Sequence, residues 1–123
     1  MKSIFGFFDR IKREQMAVMQ AVLLIIRANE NPSSFVKLSQ DEMIRTLSHG
    51  YGGDNPALFI SKSENMSYLE MTSVLRNCSN FDKRNFSETL SNAFFKTGKS
   101  PKSQTVLMEI ARDSDIPMNY IKL

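Results

Sequence analysis

The apolar run from Met16 to Ile26 is the sequence feature that most constrains the fold. Gln20 interrupts it and Arg27 follows it, and its apolar residues cover every side of a helix rather than one stripe. A helix that is apolar all round is stable when other elements surround it. We therefore predict a central helix from about Asp9 to Ala28. A strand is the opposing interpretation, but no second β-rich segment exists to pair with it.

Capping residues predict where the shorter helices begin. Ser39-Gln40-Asp41-Glu42 matches a capping box, in which the serine oxygen and the glutamate carboxylate each bind an exposed backbone amide. Ser67-Tyr68-Leu69-Glu70 has the same pattern, and Asp82 stands before another apolar helical face. Ser100-Pro101 combines a capping serine with a proline suited to the first helical position. These signals predict helices that begin near residues 39, 67, 82 and 101, and a start nearer Ser63 is the alternative for the helix at 67.

Breaking residues predict the ends of the helices. Pro32 and its neighbouring serines indicate a loop after the central helix, and Gly50 suits the left-handed conformation at the end of the second helix. We expect an irregular surface loop from Gly50 to Pro56 and a short final turn near Tyr120. A chain of 123 residues forms about one domain. The expected fold is therefore all-α: one domain over residues 1–123, a compact bundle of five to six helices.

The net charge of +3 is concentrated in the first residues of the chain. Four basic side chains there outweigh Asp9, so the remaining sequence is balanced in charge. The apolar residues among these charges make residues 1–10 an amphipathic segment: Ile4, Phe5, Phe7 and Phe8, with Ile11 next to it. Packing over the bundle is the structural interpretation that we favour. The functional alternative is that Phe5, Phe7 and Phe8 contact a protein or an anionic membrane surface.

A second basic cluster consists of Lys96, Lys99 and Lys102 around one loop. Proteins that bind nucleic acid usually carry a longer basic stripe. A solvated loop is therefore the favoured interpretation, and contact with a protein partner is the functional one. A nucleic-acid-binding domain that uses the helix after Ser100 is kept as an alternative.

Cysteine usage and hydropathy bear on the location of the chain. Cys78 stands alone and forms no internal disulfide, which favours a reducing compartment. The N-terminal residues mix charged and apolar side chains without the apolar core of a secretory signal. The run from Met16 to Ile26 is shorter than the roughly 20 residues of a membrane span. We expect a cytoplasmic protein, with peripheral association at the inner membrane surface as an alternative.

His49 and Cys78 are the residues that nucleophile-and-base catalysis would use. His49 stands at a predicted helix end, and Cys78 completes an apolar helix face, so we expect structural roles for both. The glycine-rich stretch around Gly52 lacks the lysine and hydroxyl residue of a phosphate-binding loop. The sequence therefore predicts no enzyme and no cofactor.

Glu30, Asp41 and Glu42 are the candidate metal ligands, because they lie on either side of the first predicted interhelical loop. A hard divalent cation needs several oxygen ligands that converge on one point. Asp41 and Glu42 are also explained as acidic residues in the first turn of a helix. We favour that explanation, and a cation-sensing domain is kept as an alternative.

Three stretches of the chain share the pattern of one known family. They are Gly6–Lys12, the unit Leu23–Asn29 with Ser39–Glu42, and the unit Leu90–Pro101 with Leu107–Ala111. Together they cover about half of the chain, and they resemble the tellurite-resistance TerB-like family of small helical bacterial proteins. The resemblance implies a bundle with two similar helix-loop-helix units and a role in stress response.

The resemblance also bears on metal binding. In that family an aspartate-glycine pair and a downstream glutamate in these loops are associated with divalent cations. Here the aspartate position is Asn29 in the first unit and Thr97 in the second. We therefore expect a non-catalytic accessory or interaction module that acts through contacts with a protein or a membrane surface.

Overall fold

The computed structural model describes residues 4–123, with side chains described from Arg10 onward. This part of the chain contains six α-helices and no strand, which confirms the expected all-α fold. The helices are α1 (Ile4–Arg27), α2 (Ser34–Gly52), α3 (Pro56–Glu64), α4 (Tyr68–Arg76), α5 (Asn80–Lys96) and α6 (Pro101–Asp113), and a 3₁₀ turn follows at Met118–Tyr120.

Helix α1 is the centre of the bundle, as its sequence predicts. It contacts each of the other five helices, and Val22, Leu23 and Ile25 in its second half are fully buried. The polar interruption is also buried, and the Gln20 side-chain amide donates a hydrogen bond to the Met66 carbonyl oxygen at 3.2 Å. Because this buried amide has a partner, it is tolerated inside the core. The helix begins at Ile4, earlier than the expected start at Asp9.

Helix α2 begins five residues before the predicted capping box. Ser33 is the N-cap, and its hydroxyl accepts a hydrogen bond from the Val36 amide at 3.2 Å. The expected start at Ser39 is therefore wrong, because Ser33 already caps the helix directly after Pro32. Ser39 instead lies within α2, where its side chain faces a neighbouring groove.

The region around residues 50–56 is more helical than the sequence indicated. Helix α2 continues through Gly50 to Gly52, and Gly53 at φ 57° ends it. Asn55 then caps α3, its side-chain oxygen accepting a hydrogen bond from the Leu58 amide at 3.1 Å. The predicted irregular loop is thus reduced to a short turn between two helices.

The predicted starts at Ser67 and at Ser100-Pro101 are confirmed, whereas the predicted start at Asp82 is three residues late. The Ser67 hydroxyl accepts a hydrogen bond from the Glu70 amide at 3.1 Å, as the capping box predicts. Helix α5 is capped by Ser79 rather than by Asp82, which lies in its first turn. Ser100 precedes α6 as expected but makes no side-chain capping bond.

Polar side chains fix the C-terminal end of α6 to α4 and α5. Arg76 donates two hydrogen bonds to the Asp113 carbonyl oxygen, at 3.2 and 2.7 Å, and the Tyr68 hydroxyl donates to the Asp113 carboxylate. The buried Lys83 ammonium donates to the Asp115 carbonyl oxygen at 3.0 Å. Cations are favoured at the carbonyl end of a helix. These contacts therefore hold the C-terminal end of α6 and the residues after it against α4 and α5.

Candidate interaction surface

The α1–α2 loop and the α5–α6 loop meet at one end of the bundle. The Asn29 side-chain amide donates a hydrogen bond to the Thr97 carbonyl oxygen at 2.9 Å. Thr97 is buried at the end of α5, and Gly98 follows it at φ 71°. The two positions at which the family resemblance would place aspartates are thus in direct contact. We call this part of the molecule the loop end: residues 28–33, residues 97–100, and the helical turns that adjoin them.

A second contact between the loops joins Glu30 to Lys102. The Lys102 ammonium lies 3.1 Å from the Glu30 carboxylate, and both side chains are 68% exposed. An exposed ion pair of this kind contributes at most about 1 kcal/mol. Its main consequence is electrostatic, because the charge of Lys102 is locally neutralised.

The three lysines of the predicted cluster have different surroundings. Lys96 lines a groove between α2 and α5. The Lys99 ammonium lies 5.3 Å from the centroid of the Phe95 ring, a cation–π distance. Lys102 is paired with Glu30. The lysines therefore share one end of the bundle without forming a continuous basic stripe.

The candidate metal ligands do not converge. Asp41 pairs with Lys37 at 3.0 Å, Glu30 pairs with Lys102, and Glu42 lines the α2–α5 groove. Among the residues that the structure describes, no three His, Cys, Asp or Glu side chains are grouped to hold a metal ion. Asp41 and Glu42 also lie beyond the first turn of α2, because the helix begins at Ser34. Their expected role as first-turn residues is therefore wrong.

The side chains of Phe5, Phe7 and Phe8 lie outside the described residues. Their backbone belongs to the first turns of α1, and this helix has 24 residues. At 1.5 Å per residue, α1 is about 36 Å long. Since α1 ends at the loop end, its N-terminal turns and the three lysines lie at opposite ends of the bundle.

Two large apolar side chains at the start of α2 point into solvent. Phe35 is 79% exposed and Leu38 is 69% exposed. They belong to the loop end, because a Cβ atom on Gly98 would lie 3.4 Å from the neighbouring Val36 side chain. We call Phe35 and Leu38 the α2 edge. The α2 edge was not predicted from the sequence, because the start of the helix was placed after these residues. Their spacing of three positions is the signal that could have found it, since such residues lie on one side of a helix.

A groove of about 470 Å³ runs beside the α2 edge, between α2 and α5. Met43 and Leu47 supply its partly buried apolar surface. Its polar lining consists of Ser39, Glu42, Thr46, Thr89, Asn92 and Lys96. A groove that combines apolar surface with polar side chains available for hydrogen bonds is suited to binding another protein segment.

A smaller cleft of about 210 Å³ lies toward the opposite end, between α1 and α5, and includes Glu14 and Cys78. Burial raises the pKa of Glu14, and the nearby Asp82 carboxylate raises it further. Burial also raises the pKa of the Cys78 thiol to about 11. The thiol donates its hydrogen bond to the Val74 carbonyl oxygen at 3.3 Å rather than to an imidazole. A thiol of this kind is a weak nucleophile at neutral pH.

His49 lies apart from this cleft, in the last turn of α2, where it is exposed. The Gly53 amide donates to its backbone carbonyl oxygen at 3.2 Å, so glycine rather than the imidazole completes this helix end. The structure does not bring the histidine and the cysteine together as a catalytic pair.

No protein-family model, curated protein or solved structure matches this chain. Within the described residues, no helix is both long enough and apolar enough to cross a membrane. The candidate site therefore depends on the geometry of the loop end, its α2 edge and the adjoining groove.

Proposed function

We propose that this chain is a non-catalytic accessory or interaction module whose α2 edge binds a protein partner. The observation that carries the proposal is the exposure of Phe35 and Leu38 side by side on a well-formed helix. Contacts that remove large apolar side chains from water supply most of the free energy of protein association. Adjacent exposure of two such residues at the mouth of a groove is typical of a binding surface.

The charges around the α2 edge favour a protein over a membrane or a nucleic acid. Lys37 and Lys102 are each paired with a carboxylate, which leaves Lys96 and Lys99 without one among the described residues, and Lys96 shares its groove with the acidic Glu42. The loop end therefore lacks the large positive excess that attracts anionic lipids or phosphates. A cytoplasmic protein partner, as the sequence suggested, is the proposal that best fits this balance.

The proposal also includes a TerB-like arrangement and a role in bacterial stress response. Two helix-loop-helix units whose loops meet support it, as does the contact between Asn29 and Thr97. A side-chain hydrogen bond and the Lys102–Glu30 pair join the loops, and this pair engages the Glu30 carboxylate that a cation would need. We therefore favour an interaction module over a divalent-cation sensor.

Photo-crosslinking from the α2 edge tests the proposal in the native host. A benzoylphenylalanine replaces Phe35 in one variant and Leu69 in a matched control, because Leu69 is 76% exposed but lies on α4. We expect position 35 to form a discrete crosslinked protein and position 69 to form none. The additional change Leu38→Lys should abolish the product. Equal crosslinking from both positions, or none from position 35, contradicts the proposed function.

A further inference from the structure

The α2–α5 groove carries one unpaired charge of each sign. Glu42 lies on the α2 wall and Lys96 lies on the α5 wall. Neither forms an ion pair or a side-chain hydrogen bond with any residue that the structure describes. By contrast, Lys37 and Lys102 nearby are both paired. The groove therefore combines an apolar surface with two charges that are free to meet charges from outside.

The exposed apolar residues lie along the same groove. Phe35 precedes Ser39 by four positions and Glu42 by seven, a spacing that puts all three on one side of α2. Ser39 and Glu42 both line the groove, so Phe35 continues its α2 wall toward the loop end. A molecule seated in the groove would therefore cover Phe35 as well as Met43 and Leu47.

We propose that a second copy of this chain occupies the groove, in a two-fold dimer. In such a dimer every contact occurs twice, because the same surface is used by both copies. Glu42 of each copy can then pair with Lys96 of the other, and both charges of both copies are satisfied. A purely acidic or purely basic ligand would be repelled by one wall of the groove. The surface is thus complementary to itself, and a second copy is the occupant that satisfies both walls.

The size of this face indicates a weak dimer. Helix α2 has 19 residues and is about 28 Å long, and two neighbouring helices together are about 20 Å wide. Such a face is at the lower end of the range for specific interfaces. We expect a dissociation constant in the micromolar range. The inference rests on the proposed function in one respect, since it names a second copy as a partner of the α2 edge.

Charge exchange across the groove gives a sharp test by analytical ultracentrifugation of the full chain. Glu42→Lys and Lys96→Glu should each raise the dimer dissociation constant by about tenfold or more, because each turns two attractive contacts into repulsive ones. The double variant should return it to within about threefold of the unchanged protein, because the pairs re-form with exchanged signs. Glu109→Lys is the control, since Glu109 is exposed on α6 and does not line the groove.

A bulky substitution tests the groove independently of charge. Asn92→Trp fills the groove from an exposed position on α5 and should weaken the dimer, whereas Glu109→Trp on α6 should not. Circular dichroism establishes that each variant is folded. The inference is overturned if the protein stays monomeric up to about 1 mM. It is also overturned if the double variant dimerises no more tightly than the single variants. The proposed function survives either result if Phe35 still crosslinks to a different protein, and it fails if position 35 crosslinks to nothing.

Discussion

Asn29 and Thr97 are 68 positions apart in the sequence, and a hydrogen bond of 2.9 Å joins the Asn29 side-chain amide to the Thr97 carbonyl oxygen. Asn29 follows the end of α1, and Thr97 ends α5. The Thr97 hydroxyl in turn accepts a hydrogen bond from the Ser100 amide at 3.3 Å. Carbonyl groups at the end of a helix lack partners within the helix. The hydrogen bond from Asn29 therefore gives the Thr97 carbonyl a partner and holds the two loops together.

Replacement of Asn29 by alanine should weaken this junction. The Thr97 carbonyl would lose its donor in a partly buried position, so we expect the free energy of unfolding to fall by about 1 kcal/mol. Asn31→Ala is the matched control, because Asn31 is exposed in the same loop. Urea denaturation measures both variants. If Asn31→Ala is as destabilising as Asn29→Ala, the hydrogen bond has no special part in stability.

Much of the fold could be predicted from local sequence signals. The central helix follows from an apolar run with no polar face, and the starts of α4 and α6 follow from Ser67 and from Ser100 with Pro101. Helix α3 was missed although Asn55-Pro56 is a good helix start, because the glycines before it suggested a longer loop. The predicted start of α2 was too late because the sequence contains two serines that can cap a helix, Ser33 and Ser39. In the structure Ser33 is the N-cap.

The candidate site depends on contacts that local signals do not contain. Side-chain pairing across 72 positions, as between Glu30 and Lys102, is set by how α1, α5 and α6 pack. Glu30 and Asp41 each have a lysine partner, so their carboxylates do not form a group of unpaired metal ligands. The exposure of Phe35 could not be predicted either, because this residue was assigned to a loop. Without a helix assignment, the sequence does not indicate which side of α2 the ring faces.

Two glycines of α2 should respond in opposite ways to alanine. At Gly52 an added Cβ would lie 2.8 Å from the Phe59 Cβ, so Gly52→Ala should destabilise the protein by about 1–3 kcal/mol. At Gly50 an added Cβ meets nothing within 4 Å, and alanine is the better helix former. Gly50→Ala should therefore stabilise the protein by up to about 1 kcal/mol. Thermal and urea denaturation measure both effects, and a stabilising Gly52→Ala would show that α2 does not approach α3 so closely.

The thiol of Cys78 should be almost inert in the folded protein. Burial raises its pKa to about 11, so very little thiolate exists at neutral pH. We expect Ellman's reagent at pH 8 to react more than about 100-fold more slowly with the folded protein than with the same protein in denaturant. Rapid reaction in the folded state would argue against a buried structural thiol.

The carboxylate of Asp113 should contribute stability that depends on pH. Hydrogen bonds from Tyr68 first, and then from Arg112, lower the pKa of Asp113 in the folded state. A lowered pKa means that the stabilisation is present above the unfolded-state pKa of about 3.9 and is lost as the pH falls through the folded-state value. Asp113→Asn should therefore be less stable than the unchanged protein at pH 7, and the difference should shrink toward about pH 3.

The control for this pH dependence is Asp54→Asn, which removes the same formal charge at an exposed position in the turn before α3. Urea denaturation across the acidic range compares the two variants. A stability difference for Asp113→Asn that stays constant with pH would mean that the charge of Asp113 has no part in fixing α6 to α4.

Cysteine accessibility in the host cell tests most directly whether the α2 edge is a contact surface. Leu38→Cys and Leu69→Cys each place one reactive thiol at an exposed site, while buried Cys78 stays silent. Both should react with a maleimide at similar rates in the purified protein at low concentration. In the host we expect the thiol at position 38 to be protected and the thiol at position 69 to react fully. Equal labelling of both positions in the host would contradict binding through the α2 edge.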